Sequence, residues 1–371
     1  MIPLSIPELS GKEIDYIREC LDSGWVSSAG PFVKQFEDRF KEYVGAKFAV
    51  AVINGTSALH LALKCAGIGE GDEVIVPSLT FAATVNAIIY LGARPVFADV
   101  CRDTYVLDPN RIEELISRKT KAILPVHLYG QPAEMDEIME IAGKFELKVI
   151  EDAAQSLGSK YKGRQTGTIG HMGCFSFNGN KLITTGSGGM LVTDDEKAAE
   201  YARYLSTQAK DLNYNGVFYH NEVGYNYRMS SINAALGLAQ LEDIDRRIRI
   251  KKRISCFYDE NLMGIDKIEL PVKKPHCETM FWLYPIIVED GYLLDKTRFM
   301  EKFYQFGVET RSFFMPLHLM KPYENYKHGI MEITEYVSNH GINLPSSIGL
   351  SEEDMIRVCK ILGQQDVLLN S

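Results

Sequence analysis

The sequence predicts an α/β fold, a mostly parallel sheet wrapped by helices, followed by a smaller α+β domain. Three observations lead there. From Lys47 to about Asp194, short β-branched runs alternate with helix-compatible stretches. After about Asp259 strands and helices follow one another without that regular alternation. The chain's 371 residues also exceed what one ordinary core organises, so two domains are expected, a large one over residues 1–250 and a small one over 251–371.

The elements follow in order. GKEIDYIRECLDSG is helical and able to pack on either domain. KFAVAVI, EVIVPSL, RPVFADV, KAILPVHL and KVIEDA are the strand runs of the large sheet. In such sheets functional side chains collect at the carboxyl ends of strands, where His127 and Asp152 lie. GCFSF and GGMLVTD are later strands that flank a loop carrying Lys181. One long helical region starts near Ser230 and runs past Arg253, with Ala234, Ala235, Leu238, Leu241 and Ile244 on a repeating face. In the small domain FWLYPIIV and GVETRSFF are strands. DKTRFMEKFYQF is a helix, and so is SEEDMIRVCKIL, opened by Ser351 with acids in its first turn.

Composition excludes several classes of function. A net charge of -9 repels phosphate backbones, so nucleic acid is not an expected partner. The local basic cluster from Arg246 to Arg253 reads as a solvated helix face or a dimer rim. The seven cysteines include no CxxC pair and read as reduced thiols, several of them buried. The eight histidines show no metal-ligand spacing, so no metal is expected. No basic, apolar leader opens the chain and no apolar run is long enough for a bilayer, which gives the expectation of a soluble cytoplasmic protein.

The chemistry concentrates in a few places. Lys181 sits in GCFSFNGNKLITTGSGGM, among Ser, Asn, Gly and Thr with almost no counter-charge nearby. An amine there can approach a reacting carbon and swing aside. Asp152 ends an apolar strand, where it can hold a protonated ring nitrogen or, alternatively, cap a following helix AAQS. Gln155 can reach a phenolic oxygen, or stand as an ordinary exposed glutamine. Asn54-Gly55-Thr56-Ser57 reads as a turn and helix start, able to bind phosphate or simply to cap the helix. Phe81 offers a ring for stacking, and Ser176 a hydroxyl on a strand shortly before Lys181. An amine for an imine, a carboxylate for a ring nitrogen, an aromatic face and phosphate donors are together what pyridoxal phosphate needs.

The chain resembles the DegT/DnrJ/EryC1/StrS sugar aminotransferases, pyridoxal-phosphate enzymes with the aspartate-aminotransferase fold (fold type I). The blocks carrying the resemblance run nearly end to end: WVSSAGPFVKQFE, NGTSALHLAL, GDEVIVPSLTF, PVHLYGQPAEMD, VIEDAAQSLGSKYKG, GCFSFNGNK, GYNYRMSSINAALGLAQLE and INLPSS. The resemblance implies Lys181 as the Schiff-base lysine, Asp152 as the pyridinium partner, Gln155 at the phenolic oxygen and Phe81 as the stacking ring. Gly55, Thr56 and Ser176 would hold the phosphate, joined by Asn226 from a neighbouring subunit, which implies a homodimer with shared sites. Ser28, Arg228, Arg311 and His318 are candidates for contact with the sugar nucleotide, and Arg228, Arg311 and His318 could equally be structural.

SFNGNKLITTG is similar to enzymes that aminate carbon 4 of nucleotide-linked 4-keto-6-deoxy sugars, and YLSTQAKD to enzymes that make UDP-4-amino sugars. Asn178 and Ser187 depart from the histidine and glutamate that relatives place there. The expected reaction is ping-pong transfer of an amino group from L-glutamate to the 4-keto group of a nucleotide hexose. The alternatives are a C3-keto sugar aminotransferase of the same family, a non-catalytic regulator that keeps the fold, and a relative using the cofactor for elimination or decarboxylation. The intact Lys181 argues for transamination.

Overall fold

A computed structural model describes residues 1–211, 218–292 and 295–363. The large sheet has seven strands: β1 (Phe48–Val52), β2 (Glu73–Pro77), β3 (Arg94–Ala98), β4 (Thr120–Ile123), β5 (Lys148–Asp152), β6 (Met172–Ser176) and β7 (Gly189–Thr193). Their spatial order is β1-β7-β6-β5-β4-β2-β3. Only β7 runs against the others, pairing antiparallel with both β1 and β6. These strands are nearly continuous Val, Ile, Ala and Phe because helices cover both faces of the sheet.

The helices of the first half are α1 (Lys12–Asp22), α2 (Pro31–Val44), α3 (Gly55–Cys65), α4 (Ala82–Ile89), α5 (Met135–Lys144) and α6 (Glu196–Leu205). One face of the sheet carries a core with Leu59, Leu63, Val76, Val85 and Ile150. The other packs α2 through edge-to-face rings, Phe36 and Phe40 against Phe175 and Phe177. This second cluster sits directly under the strand and loop that lead to Lys181.

The helical region after Ser230 is two helices, α7 (Ser231–Glu242) and α8 (Ile244–Leu262). The single helix expected from the repeating apolar face breaks at Asp243, whose φ of -107° and ψ of 10° leave the helical range. The Asp243 carboxylate is bound by Arg246 (2.6 Å) and lies 3.7 Å from Arg247, an arrangement suited to a corner. The basic cluster is solvated at Arg249 and Arg253, but two of its members turn inward. Arg247 is 1% exposed and Lys251 3%, the former facing Glu8 and Glu13 from the N-terminus.

The second sheet contains β8 (Ile268–Glu269), β9 (Tyr284–Val288), β10 (Arg311–Ser312) and β11 (Gly341–Leu344), with α9 (Lys296–Gln305), α10 (Glu332–His340) and α11 (Glu352–Gly363) around it. Its strands are shorter than the apolar runs suggest, and GVETRSFF contributes only the two residues of β10. α8 runs unbroken across residue 250, so the two halves share a helix instead of a linker. The N-terminus joins them as well. Ile2 exchanges backbone hydrogen bonds with Gly307 and Glu309, while α1 packs on α7. The second sheet therefore stands over the carboxyl end of the first, and the crevice between them holds the candidate site.

Candidate active site

At the carboxyl edge of the large sheet, five strand ends and the start of β10 surround a cleft of about 440 Å³. Lys181, Asp152, Gln155, Gly55, Thr56, Phe81, Ser176 and Arg311 all line it. They come from segments far apart in the chain. The parallel topology gathers them, since every parallel strand ends on the same edge.

Asp152 closes β5 and is 5% exposed. Its Oδ2 accepts a hydrogen bond from Thr84 Oγ1 on α4 (2.8 Å), and its Oδ1 accepts from the Ala154 N–H (3.1 Å). The following AAQS segment is a turn, so Asp152 caps no helix and instead closes a local Asx turn. Burial raises its pKa above the ordinary value, opposed by the Thr84 hydrogen bond, the Ala154 N–H and the nearby Lys181. Thr84 in turn lies 3.0 Å from Thr80 Oγ1.

Lys181 follows β6 by a short loop and is half-buried as a residue, with its amine at the inner end of the cleft. Burial pulls its pKa down to about 7, against the Asp152 carboxylate, which favours the charged form. An amine in that range is deprotonated in part at neutral pH, the state that a nucleophile or proton acceptor needs. Its Nζ lies 3.6 Å from the centroid of the Trp282 ring.

Gln155 is buried, and its amide oxygen accepts from the Tyr129 N–H (2.8 Å). That contact orients the amide, so its NH₂ group is the end left to donate. Tyr129 itself has a φ of 53° and Gly130 a φ of 98°. A Cβ on Gly130 would fall 2.0 Å from the Met280 carbonyl oxygen, which explains why glycine stands there.

The phosphate-binding features meet at the start of α3. Asn54 caps it by accepting from the Ser57 N–H (2.8 Å), and the Gly55 and Thr56 N–H groups belong to the first turn, which has no intrahelical partners. A Cβ on Gly55 would lie 3.0 Å from Ser176 Cβ, so the missing side chain keeps this end of the cleft open beside the Ser176 hydroxyl. Phe81, at the N-cap of α4, is 59% exposed, with a ring available for stacking. A deep carboxylate, an amine of lowered pKa, a bare ring and a helix N-terminus fit the parts of pyridoxal phosphate. Asp152 would hold its ring nitrogen, Lys181 its carbonyl carbon, and Gly55, Thr56 and Ser176 its phosphate.

Four expected contacts lie elsewhere. His318 is 6% exposed, outside the cleft lining, with Nδ1 2.8 Å from Ser78 Oγ and Nε2 3.2 Å from Glu335. Both of its ring nitrogens are engaged within the chain. Here it ties the loop after β10 to the end of β2, the structural alternative for this residue. Ser28, Arg228 and Asn226 do not line this chain's own cleft. Arg228 and Asn226 are exposed, on a segment whose Tyr227 carbonyl accepts from the Ile53 N–H (2.8 Å), beside the start of α3. Asn178 and Ser187, the two departures from the family pattern, both line the cleft. Sequence reasoning missed Thr84, Tyr129 and Trp282. The hydroxyls of Thr80 and Thr84 four residues apart and the Tyr-Gly pair after β4 were the available signals.

A family model described as the DegT/DnrJ/EryC1/StrS aminotransferase family matches residues 7–363. The chain is 43% identical over 367 residues to a GDP-perosamine synthase of Caulobacter vibrioides, covering 98% of each. It is 43% identical over 365 residues to a GDP-perosamine synthase of Escherichia coli O157:H7, again covering 98% of each. Its fold matches the PLP-form structure of a putative sugar aminotransferase, Spr1654 from Streptococcus pneumoniae, with a TM-score of 0.93, 28% identity and all of both chains covered.

Replacing Thr84 with valine removes the hydrogen bond that favours ionised Asp152. The Asp152 pKa should then rise further, and the acidic limb of the activity profile should move to higher pH. A pH–rate profile of the Thr84→Val enzyme checks this, and an unmoved limb would show that Thr84 does not tune Asp152.

Proposed function

The chain belongs to the DegT/DnrJ/EryC1/StrS aminotransferase family, whose cofactor is pyridoxal phosphate, and we propose that it transfers an amino group from L-glutamate to the 4-keto carbon of a nucleotide-linked 4-keto-6-deoxyhexose. The observation that carries the reading is Lys181 and Asp152 facing one cleft, the amine with its pKa lowered to about 7 and the carboxylate held by Thr84 and the Ala154 N–H. The similarity to GDP-perosamine synthases supports the choice of a sugar nucleotide as acceptor. The product would serve the assembly of surface polysaccharide or glycan sugars.

When bound, the cofactor accepts the electron pair left on a substrate carbon after a C–H bond breaks, and returns it to another carbon. The residues of the chain do the rest. Asp152, whose ionised form its donors favour against burial, would hold a proton on the ring nitrogen. Gln155 donates from its amide toward the ring oxygen. Phe81 covers the ring, and the first turn of α3 with Ser176 anchors the phosphate. Lys181 would move the proton, accepting it from the donor's α-carbon and delivering it to the cofactor's carbonyl-derived carbon. Arg311 lines the cleft with its half-exposed guanidinium 3.5 Å from Glu309, and would suit the anionic groups of a sugar nucleotide.

The sites would be shared in a homodimer, with Asn226 and Arg228 serving the partner's cleft. Both are exposed and absent from the lining of their own chain's cleft, as that arrangement requires. No helix among the described residues is long and apolar enough to cross a membrane, and all seven cysteines are free. We place the enzyme in the cytoplasm.

Turnover of L-glutamate against GDP-, UDP- and dTDP-linked 4-keto-6-deoxy sugars tests the reading. One of these should be aminated at carbon 4, and Lys181→Ala should abolish the reaction. Activity on none of them, or only on 3-keto sugars, would overturn the 4-keto assignment.

Mixing Lys181→Ala chains with Asn226→Ala chains tests the shared site, since a mixed dimer holds one undamaged site. Activity should recover toward a statistical fraction of the unmutated enzyme. Confirmed subunit exchange without recovery would place Asn226 in its own chain's site.

A further inference from the structure

Trp282 precedes β9 by two residues and is buried, yet its side chain reaches the lysine loop in two ways. The indole Nε1–H donates to the carbonyl of Asn180 (2.6 Å), the residue before Lys181, and the Lys181 amine lies over the ring at 3.6 Å. The Trp282 backbone is held equally firmly. Its N–H donates to the Tyr129 carbonyl (2.8 Å), and its carbonyl accepts from Lys251 Nζ (2.6 Å) and Ser346 Oγ (2.8 Å). Lys251 places its remaining donors on the Ser346 carbonyl (2.5 Å) and Oγ (3.0 Å). Three N–H groups thus meet three acceptors, none of them a carboxylate. Burial without a carboxylate is costly for an ammonium and pulls the Lys251 pKa down to about 7, and what this amine holds together is the backbone of Trp282 and Ser346.

We propose that Trp282 is the resting surface for the Lys181 amine whenever that amine is not bonded to the cofactor, and that Lys251 is a positioning residue that fixes Trp282 for this purpose. The inference rests on the reading of Lys181 as the amine that bonds the cofactor. An amine displaced by an incoming amino substrate must stay within reach of the same carbon, and a lysine side chain is otherwise free to wander among many rotamers. An indole face is the best aromatic surface for a cation, so it favours the amine once it has taken up a proton. The indole N–H on Asn180 fixes the loop itself, so ring and loop move as one. The other titratable groups around this pair are Asp152 from β5, Tyr129 from the loop after β4, Arg311 from β10 and Lys251 from α8.

The chain has only two tryptophans, and the other, Trp25, is exposed. In full-length Trp25→Phe protein from which the cofactor has been reversibly removed, emission therefore reports Trp282 alone. We expect that emission to titrate with a midpoint near 7, and the titration to vanish in Trp25→Phe/Lys181→Met. The same titration in both proteins, or in neither, would overturn the proposal. In the restored enzyme, Trp282→Leu should lower kcat of the glutamate half-reaction about 3- to 10-fold with KM unchanged. Trp282→Phe, which keeps a ring, should recover most of the loss, and Lys251→Arg should outperform Lys251→Met. A change in KM alone, or equal losses in Trp282→Leu and Trp282→Phe, would also overturn it. If Trp282→Leu does not fold, the emission comparison decides, because it leaves Trp282 in place. Borohydride trapping separates the two claims. A cofactor fixed on another lysine removes the Lys181 reading, whereas one fixed on Lys181 with silent emission removes only the role of Trp282.

Discussion

The site depends on one constraint, a carboxylate and an amine buried side by side where water hardly reaches. Burial alone pushes Asp152 toward its neutral form. Thr84 from α4, the Ala154 N–H from the turn after β5 and the charge of Lys181 oppose that push. Lys181 feels the reciprocal effect, because burial favours its neutral amine while Asp152 favours the ammonium. Burial is the larger influence on both groups and each charge offsets part of it, so loss of either changes the chemistry available to both.

The strand that supplies Asp152 also supplies its neighbour Glu151, and alternation along β5 sends the two carboxylates to opposite faces. Glu151 is completely buried, and burial by itself would raise its pKa. His127 Nε2 at 2.8 Å and the N–H groups of Gly167, Ile169 and Gly170 at 2.6–2.7 Å hold it below the ordinary range instead. His127 Nδ1 accepts from the Ala133 N–H (3.0 Å), which places the ring proton on Nε2. The two adjacent acids thus divide their work. Glu151 ties down the loop around Gly167, and Asp152 faces the cleft.

Much of this was legible in the sequence, for physical reasons. Strand runs, helix starts and glycine-rich loops are local patterns, and they located the large sheet, the α3 cap and the Lys181 loop. The misjudged features depend on contacts between distant segments. Arg247 and Lys251 look like a solvated basic face because Glu8, Glu13 and Ser346, which bury them, lie far away in the chain. For His318 the sequence leaves ligand and structural roles open, and only Ser78 and Glu335, distant in the chain, show both nitrogens engaged. Thr84 and Trp282 escaped notice for the same reason: a hydroxyl on a helix and an indole before a strand carry no signal until Asp152 and Lys181 stand opposite them.

The coupling between amine and carboxylate is open to direct measurement. Carbamylation of Lys181 by cyanate, followed by mass spectrometry across pH in the cofactor-free chain, reports the fraction of neutral amine. The midpoint should lie near 7 and should fall further in Asp152→Asn, because the carboxylate that favours the ammonium is gone. A midpoint near the ordinary lysine value of about 10.4, unmoved by Asp152→Asn, would contradict the account.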